Sequence, residues 1–253
     1  VEGGAVIKRY VSQISLKSYP AADSYLHHLP VVRNLQKLGI LEFYSPVVIF
    51  VGENGTGKST LLEALAVSLG FNPEGGTRNF NFSTRATHSE LYEHLRIART
   101  GYPRDGFFLR AESFYNVATN IEQLDEEPSF GPALIESYGG VSLHKQSHGE
   151  SFLALVQNRF GGRGLYILDE PEAALSPSRQ MTLLAEMHAL VGKDSQFIVS
   201  THSPILLAYP GAQVIELTPE NIRTVPYKET EHFKLTKQFL NEPERMLKYL
   251  LEG

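Results

Sequence analysis

Three short runs of uninterrupted apolar residues punctuate this chain. VVIFV fills residues 47–51 between Pro46 and Gly52, LYIL fills 165–168 of LYILDE, and FIV fills 197–199 of QFIVST. Runs this short, rich in β-branched and aromatic side chains, suit strands buried on both faces of a parallel sheet. Between them, STLLEALAVSLG (59–70), SFLALVQNRF (151–160) and SRQMTLLAEMHALV (178–191) place apolar residues at helical spacing. Gly70 is positioned to end the first of these helices. Strand alternating with helix predicts an α/β domain with a mainly parallel sheet.

The flanking segments are less regular. VIKRYVSQISLK (6–17) alternates loosely and predicts an early strand, and VVRNLQKLGI (31–40) predicts a short helix. Residues 71–106 read as loops around one helix, HSELYEHLRIAR, followed by a strand in GFFLRAE (106–112). Residues 116–146 are polar and are broken by Pro128, Gly131, Pro132, Gly139 and Gly140. AQVIEL and NIRTVPY predict a hairpin, and the tail predicts two helices parted near Pro243. No internal repeat or low-complexity tract interrupts the pattern.

Composition narrows this picture in a few places. A chain of 253 residues with 42% hydrophobic content suits one large domain, or a core carrying a subdomain. The absence of cysteine excludes disulfides and thiolate metal sites. A formal charge of −5 predicts no overall affinity for nucleic acid, although a local basic patch is compatible with it. Arg78, Arg85, Arg96, Arg99, Arg104 and Arg110 are candidates for such a patch. No apolar run reaches membrane-spanning length, and VEGGAVIKRY does not read as a signal peptide. A cytoplasmic protein is expected.

The chemistry gathers where the buried strands end. GENGTGKST (52–60) fits the spacing G-x-x-x-x-G-K-S/T between a hydrophobic strand and an apolar-striped helix. Glycine lets Gly52, Gly55 and Gly57 turn the chain sharply, so that the N–H groups of Gly52, Glu53, Asn54, Gly55, Thr56, Gly57, Lys58, Ser59 and Thr60 can surround a phosphate. Lys58 supplies a charge for the β- and γ-phosphates, Ser59 a hydroxyl for Mg²⁺, and the helix N-terminus further anion stabilisation. Asp169 ends the second buried strand at the edge where parallel sheets bind ligands, and is a Mg²⁺ ligand candidate. Glu170 follows it as a candidate base for the attacking water. The third strand runs into Thr201–His202–Ser203, which places His202 on the same edge. The other histidines read mostly as surface groups, and no His/Asp/Glu spacing suggests zinc.

SHGES (147–151) opens the helix SFLALVQNRF. Ser147 followed by Glu150 is a capping-box spacing. A capped helix still presents N–H groups, so Ser147, Gly149 and Glu150 are also anion-site candidates. The two roles are compatible.

GENGTGKST, SHGES, LYILDEPEAALS and IVSTH occur in the order of an ABC-type ATPase, which the chain resembles from about Val47 to Ser203. The resemblance implies a P-loop NTPase fold with N-terminal antiparallel strands and a helical subdomain at approximately 71–160, within a single 1–253 domain. It makes SHGES the signature loop, with His148 in place of the usual first glycine. Ala174–Leu175–Ser176 becomes the D-loop and His202 the switch histidine. It further implies Mg²⁺-dependent ATP hydrolysis by a homodimer in which Ser147 and Gly149 of one copy face the γ-phosphate held by the other.

Two family features have no clear counterpart. GFFLRAE carries no glutamine for the glutamine loop; Gln123 and Gln146 lie far from it, and Arg110 or Glu112 occupies the region. Tyr10 is a candidate for stacking on adenine, and equally a packed strand residue. SHGES and DEPEAAL are more similar to the Rad50-like, SMC-like and RecF-like branch, and to small AAA-family ATPases, than to transporter subunits. Only residues 61–146 separate Thr60 from Ser147, too few for a long coiled-coil arm. The expected partner is an unidentified protein, with nucleic acid a candidate and a membrane partner less favoured. A transporter subunit and a weakly hydrolysing nucleotide-gated scaffold are the alternatives.

Overall fold

Alternation inside the apolar runs decides how the layers form. In the computed structural model, which describes residues 9–77, 89–112, 114–126, 136, 138, 140 and 142–252, the strand β3 (Val47–Val51) is buried along its whole length. Successive side chains of a strand point to opposite faces. Val47, Ile49 and Val51 therefore enter one apolar core, while Val48 and Phe50 enter another on the far side of the sheet. A strand with two buried faces has no polar positions, which is why its sequence is continuous rather than alternating.

The remaining elements follow in chain order. The strand β1 (Val11–Leu16) precedes helix α1 (Pro30–Leu38) and strand β2 (Ile40–Glu42). After β3 come α2 (Lys58–Ser68), α3 (Leu91–His94), β4 (Leu95–Arg99), β5 (Asp105–Arg110) and α4 (Phe114–Glu126). Helix α5 (His148–Arg159) leads into β6 (Gly164–Asp169), α6 (Pro177–Val191) and β7 (Gln196–Ser200). The chain ends with α7 (Pro204–Leu207), β8 (Gln213–Leu217), β9 (Ile222–Thr224), α8 (Glu231–Asn241) and α9 (Pro243–Glu252).

Among the described residues six strands form the central sheet in the order β5-β6-β7-β3-β8-β9, and all neighbours are parallel except β8 and β9. AQVIEL and NIRTVPY thus make the expected hairpin, and the first of the pair also extends the parallel sheet beside β3. One face is covered by α4, α5, α6 and α7, whose Val117, Leu155, Leu183 and Leu206 join the first core. The other face is covered by α1, α2 and a three-stranded antiparallel sheet of order β2-β1-β4.

Two buried glutamines fasten that smaller sheet to the main one. Gln196, at the start of β7, accepts from the N–H groups of Tyr10 and Val11 at 2.7 and 2.9 Å and donates to the Val11 carbonyl. Gln213, at the start of β8, accepts from Tyr44 N–H at 2.9 Å and donates to the Glu42 carbonyl at 2.8 Å. A buried amide satisfied at both ends orders two sheets relative to each other.

Two expectations are corrected here. HSELYEHLRIAR is helical only over α3; its second half is the strand β4, paired antiparallel with β1. Leu95 and Arg96 then alternate as a strand, Leu95 facing the second core and Arg96 facing solvent. Tyr10 does not face a nucleotide. It is buried in the second core, and its hydroxyl donates to the Asp194 carbonyl at 2.9 Å, before β7 begins. That is the sheet edge opposite the phosphate loop.

Candidate functional site

Three parallel strands end side by side, and their exits carry the candidate residues. The register pairs Arg110 with Asp169 and Asp169 with Ser200, while Phe50 lies beside Ser200. The sequence-predicted Lys58, Ser59, Asp169, Glu170 and His202 therefore meet at one edge.

The loop between β3 and α2 is shaped by its glycines. A Cβ on Gly52 would lie 2.2 Å from the Leu217 carbonyl oxygen, so only glycine lets the loop pass β8. Gly57 caps α2 at φ +97°, and a Cβ there would meet Val31 Cγ1 at 2.5 Å. The Val31 N–H at the start of α1 donates to the Thr56 carbonyl at 3.1 Å, and Thr56 Oγ1 donates to the Glu53 carbonyl at 2.8 Å. Glu53, Asn54 and Gly55 are exposed at the loop's crest, whereas Ser59 and Thr60 sit half-buried in the first turn of α2. Lys58 is buried and curls over the loop, its Nζ donating to the carbonyls of Gly52 at 2.7 Å and Glu53 at 3.1 Å. Burial lowers the Lys58 pKa; Glu170, Asp169 and Glu172 oppose that shift.

Asp169 is the polar hub. Its Oδ1 accepts from Ser59 Oγ at 3.1 Å and from Ser200 Oγ at 2.5 Å. Its Oδ2 lies 3.5 Å from Arg110 Nε. Burial pushes the Asp169 carboxyl up, against the hydrogen bonds of Ser200 and Ser59 and the charge of Arg110. The Ser59 hydroxyl and the Asp169 carboxylate, side by side, are hard oxygen donors of the kind Mg²⁺ takes. Among the described residues no cluster of three or more His, Cys, Asp or Glu could hold a metal.

Glu170 adopts a left-handed conformation, φ +49°, which turns its carboxylate out of the strand. The backbone N–H of Glu170 donates to the Ser200 carbonyl at 3.1 Å. Its Oε1 stands 3.4 Å from His202 Nε2. The His202 N–H donates to Glu172 Oε1 at 2.6 Å, and burial raises the Glu172 pKa. Burial, with the charge of Lys58 and the neighbouring His232, brings the His202 pKa down to about 4, so the imidazole is neutral at pH 7.

Three participants escape a reading of the sequence. Arg110, named there as an occupant of its region and as part of a basic patch, reaches Glu63 Oε2 at 2.6 Å as well as Asp169. Glu172 sits within DEPEAAL, but its hold on the His202 backbone depends on the turn after β6. His232, grouped with surface histidines, presents Nε2 to His202 Nδ1 at 2.8 Å. No local signal marks it, because only the packing of α8 brings it there. Arg110 is thereby withdrawn from the candidate basic patch; Arg96 and Arg99 are exposed, and Arg78 and Arg85 lie outside the described residues.

SHGES lies elsewhere on the surface. Glu150 Oε2 accepts from the Ser147 N–H at 3.0 Å and from Ser147 Oγ at 2.7 Å. Those hydrogen bonds lower the Glu150 pKa, with Arg179 adding to them. Arg179, from the first turn of α6, donates to Ser147 Oγ at 3.2 Å and Glu150 Oε1 at 3.0 Å. Gly149 is buried against its own chain: a Cβ would lie 2.8 Å from the Ala174 carbonyl oxygen and 2.6 Å from Arg179. Within one chain, SHGES and the phosphate loop are not brought together as one site.

Comparison with known proteins agrees with this architecture. Residues 31–126 match the family described as "AAA domain", and residues 138–208 match "AAA domain, putative AbiEii toxin, Type IV TA system". The chain is 28% identical over 182 residues to the cytochrome c biogenesis ATP-binding export protein CcmA of Rhizobium meliloti, covering 68% of this chain and 84% of that protein. It is 26% identical over 126 residues to the "Retron Vc95 probable ATPase" of Vibrio cholerae, covering 43% of this chain and 24% of that protein. A solved ATP-binding cassette of an ABC transporter, MJ1267, superposes with a TM-score of 0.52 at 14% identity, over 96% of this chain and 99% of that one.

Fold and site together define a nucleotide-binding α/β ATPase. More narrowly, the fold is that of an ABC-type nucleotide-binding domain, and no coiled-coil insert occurs among the described residues. Among the described residues no helix is long and apolar enough to cross a membrane.

Proposed function

We propose that this chain hydrolyses Mg-ATP to ADP and phosphate as an ATP-sandwiched homodimer, and that the cycle drives a partner protein in DNA repair or genome defence. The observation that carries the reading is the meeting of Lys58, Ser59, Asp169, Glu170 and His202 at one sheet edge. Lys58 leaves its resting bonds to Gly52 and Glu53 and turns to the β- and γ-phosphates, joining the N–H groups at the start of α2. Ser59 and Asp169 would hold Mg²⁺, which would supply charge neutralisation at the phosphate oxygens. Glu170 takes a proton from the water that attacks the γ-phosphorus, and the β–γ bridging oxygen leaves with its bonding pair. His202 hydrogen-bonds the γ-phosphate or that water.

The second copy contributes Ser147, Gly149 and Glu150. In the single chain Glu150 and Arg179 already hold the Ser147 hydroxyl, so that residue caps α5 first. The helix keeps N–H groups free of intrahelical partners in its first turn, and these face the γ-phosphate across the dimer. Two copies closed on two nucleotides would exclude bulk water from both sites.

The defence context is supported by the partial likeness to a retron ATPase and by the AbiEii-type family description. A second reading, the ATP-binding subunit of a transporter, is favoured by the likeness to an export protein. The test is Glu170→Gln purified with Mg-ATP. The expected result is lost turnover, an ATP-dependent dimer in light scattering, and capture of a soluble partner. Capture of an integral membrane protein would move the assignment to the transporter reading. Wild type and variant both at background turnover would leave a nucleotide-gated scaffold. Stimulation of wild-type turnover by DNA would assign nucleic acid as the effector.

A further inference from the structure

His202 has two ring nitrogens, and only one of them faces the proposed γ-phosphate. We propose that His232 is a positioning residue for ATP hydrolysis: its Nε2–H donates to His202 Nδ1 and so fixes the His202 proton on Nε2. The inference deepens the proposed role of His202 and rests on it.

The argument starts from geometry. His202 Nδ1 and His232 Nε2 are 2.8 Å apart, and the rings lie 4.8 Å apart between centroids. Two nitrogens at that distance share one proton, since two lone pairs or two N–H groups facing each other repel. Both rings lose basicity through burial and the charge of Lys58. Each therefore carries one proton at pH 7, and two arrangements are open.

The other side of His202 decides between them. Its Nε2 is buried, makes no hydrogen bond, and stands 3.4 Å from Glu170 Oε1. A bare nitrogen lone pair facing a carboxylate is repelled, whereas an N–H is attracted. The His202 proton thus belongs on Nε2, Nδ1 accepts, and His232 donates. An imidazole with Nε2–H can donate to a phosphate oxygen or to water; the other tautomer cannot.

His232 is also firmly held. It occupies the first turn of α8, whose cap Thr230 is fully buried and accepts from the Phe233 N–H at 3.4 Å. Phe233 packs edge-on to Tyr227 at 5.2 Å. The His202 backbone is fixed in turn by Glu172. The groups facing the pair are Lys58 and Glu170 at His202, and Glu231, Glu216, Glu53 and Lys58 at His232. Helix α8 thereby becomes part of the hydrolytic machinery rather than a terminal appendage.

The experiment joins spectroscopy to kinetics. In the ¹⁵N-histidine-labelled chain, with the His202 resonances assigned by loss in His202→Gln, the expected spectrum shows protonated Nε2 and bare Nδ1. His232→Leu is expected to lower kcat about tenfold with KM for ATP unchanged, as loss of one orienting hydrogen bond would. His232→Gln, whose amide N–H can take the place of Nε2–H, restores most of it. In a His202→Ala background, His232→Leu has no further effect, because residues acting through one another are not additive. A proton found on His202 Nδ1 would overturn the proposal. So would an equal kcat loss from His232→Leu with and without His202. Background turnover of the wild type would instead sink the hydrolytic role of His202, while the spectrum would still decide whether His232 sets the tautomer.

Discussion

Arg110 Nε lies 3.5 Å from Asp169 Oδ2, opposite the two hydroxyls that bind Oδ1. The guanidinium also reaches Glu63, so one cation joins two largely buried carboxylates of β6 and α2. This arginine supplies positive charge beside Asp169. Removing one partner of a buried pair costs more than the pair is worth, because a charge stays behind. Arg110→Ala should therefore lose about 2 kcal/mol of unfolding free energy, discounted for the arginine's partial exposure. Chemical denaturation of both proteins measures it. A change within ~0.5 kcal/mol, as at ordinary surface sites, would show that the bridge contributes nothing.

The glycines of the phosphate loop should separate into two kinds. Gly52 faces a backbone carbonyl, Leu217, which cannot swing aside; Gly55 has φ +84° with open space around it. Gly55→Ala should cost about 1 kcal/mol, the strain of a left-handed residue. Gly52→Ala must push β8 away from β3, and should cost about 3 kcal/mol or fail to fold. Thermal melts rank the two. Equal melting temperatures would mean that the loop accommodates the methyl group without moving the strand.

The sheet edge was readable because its strands are continuous apolar runs with chemistry at their exits. Lys58, Ser59, Asp169, Glu170 and His202 each follow or adjoin such a run. Period and punctuation carry little about β4, where a helical turn passes into a strand with no glycine or proline between them. Its strand character comes from pairing with β1, far away in sequence. His232 and Glu172 are silent for the same reason. Their partners are set by how α8 and the turn after β6 pack, and neither packing leaves a local spacing. Tyr10 misleads because an aromatic residue near the chain start reads the same at either edge of the sheet.

The neutral His202 predicts a pH response. Its pKa falls from the ordinary 6.5 to about 4 on folding, through burial and the nearby Lys58 and His232. Between those values the unfolded chain binds the proton and the native chain does not, so stability rises with pH across that window. The contribution is complete above about 6.5 and is lost as pH falls towards 4. His202→Gln removes the titrating group. Its melting temperature should fall less than that of the wild type between pH 7 and pH 5. Parallel curves for the two proteins would mean that His202 ionises freely in the native state.

Adjacent positions of SHGES should respond in opposite ways to a change of size. His148 is exposed in the first turn of α5, whereas Gly149 is pressed against the Ala174 carbonyl and Arg179. His148→Gly should leave stability within ~0.5 kcal/mol of wild type, as surface changes do. Gly149→Ala must part α5 from the turn before α6, an overpacking cost of about 1–3 kcal/mol. The same turn carries Ala174, Leu175 and Ser176, so a shift there would also reach the surface proposed to close on a second copy. Gly149→Ala should therefore weaken ATP-dependent dimerisation in light scattering, with His148→Gly unchanged. If His148→Gly alone abolishes the dimer, the imidazole is itself a contact across the interface, and the glycine is there only for packing within the chain.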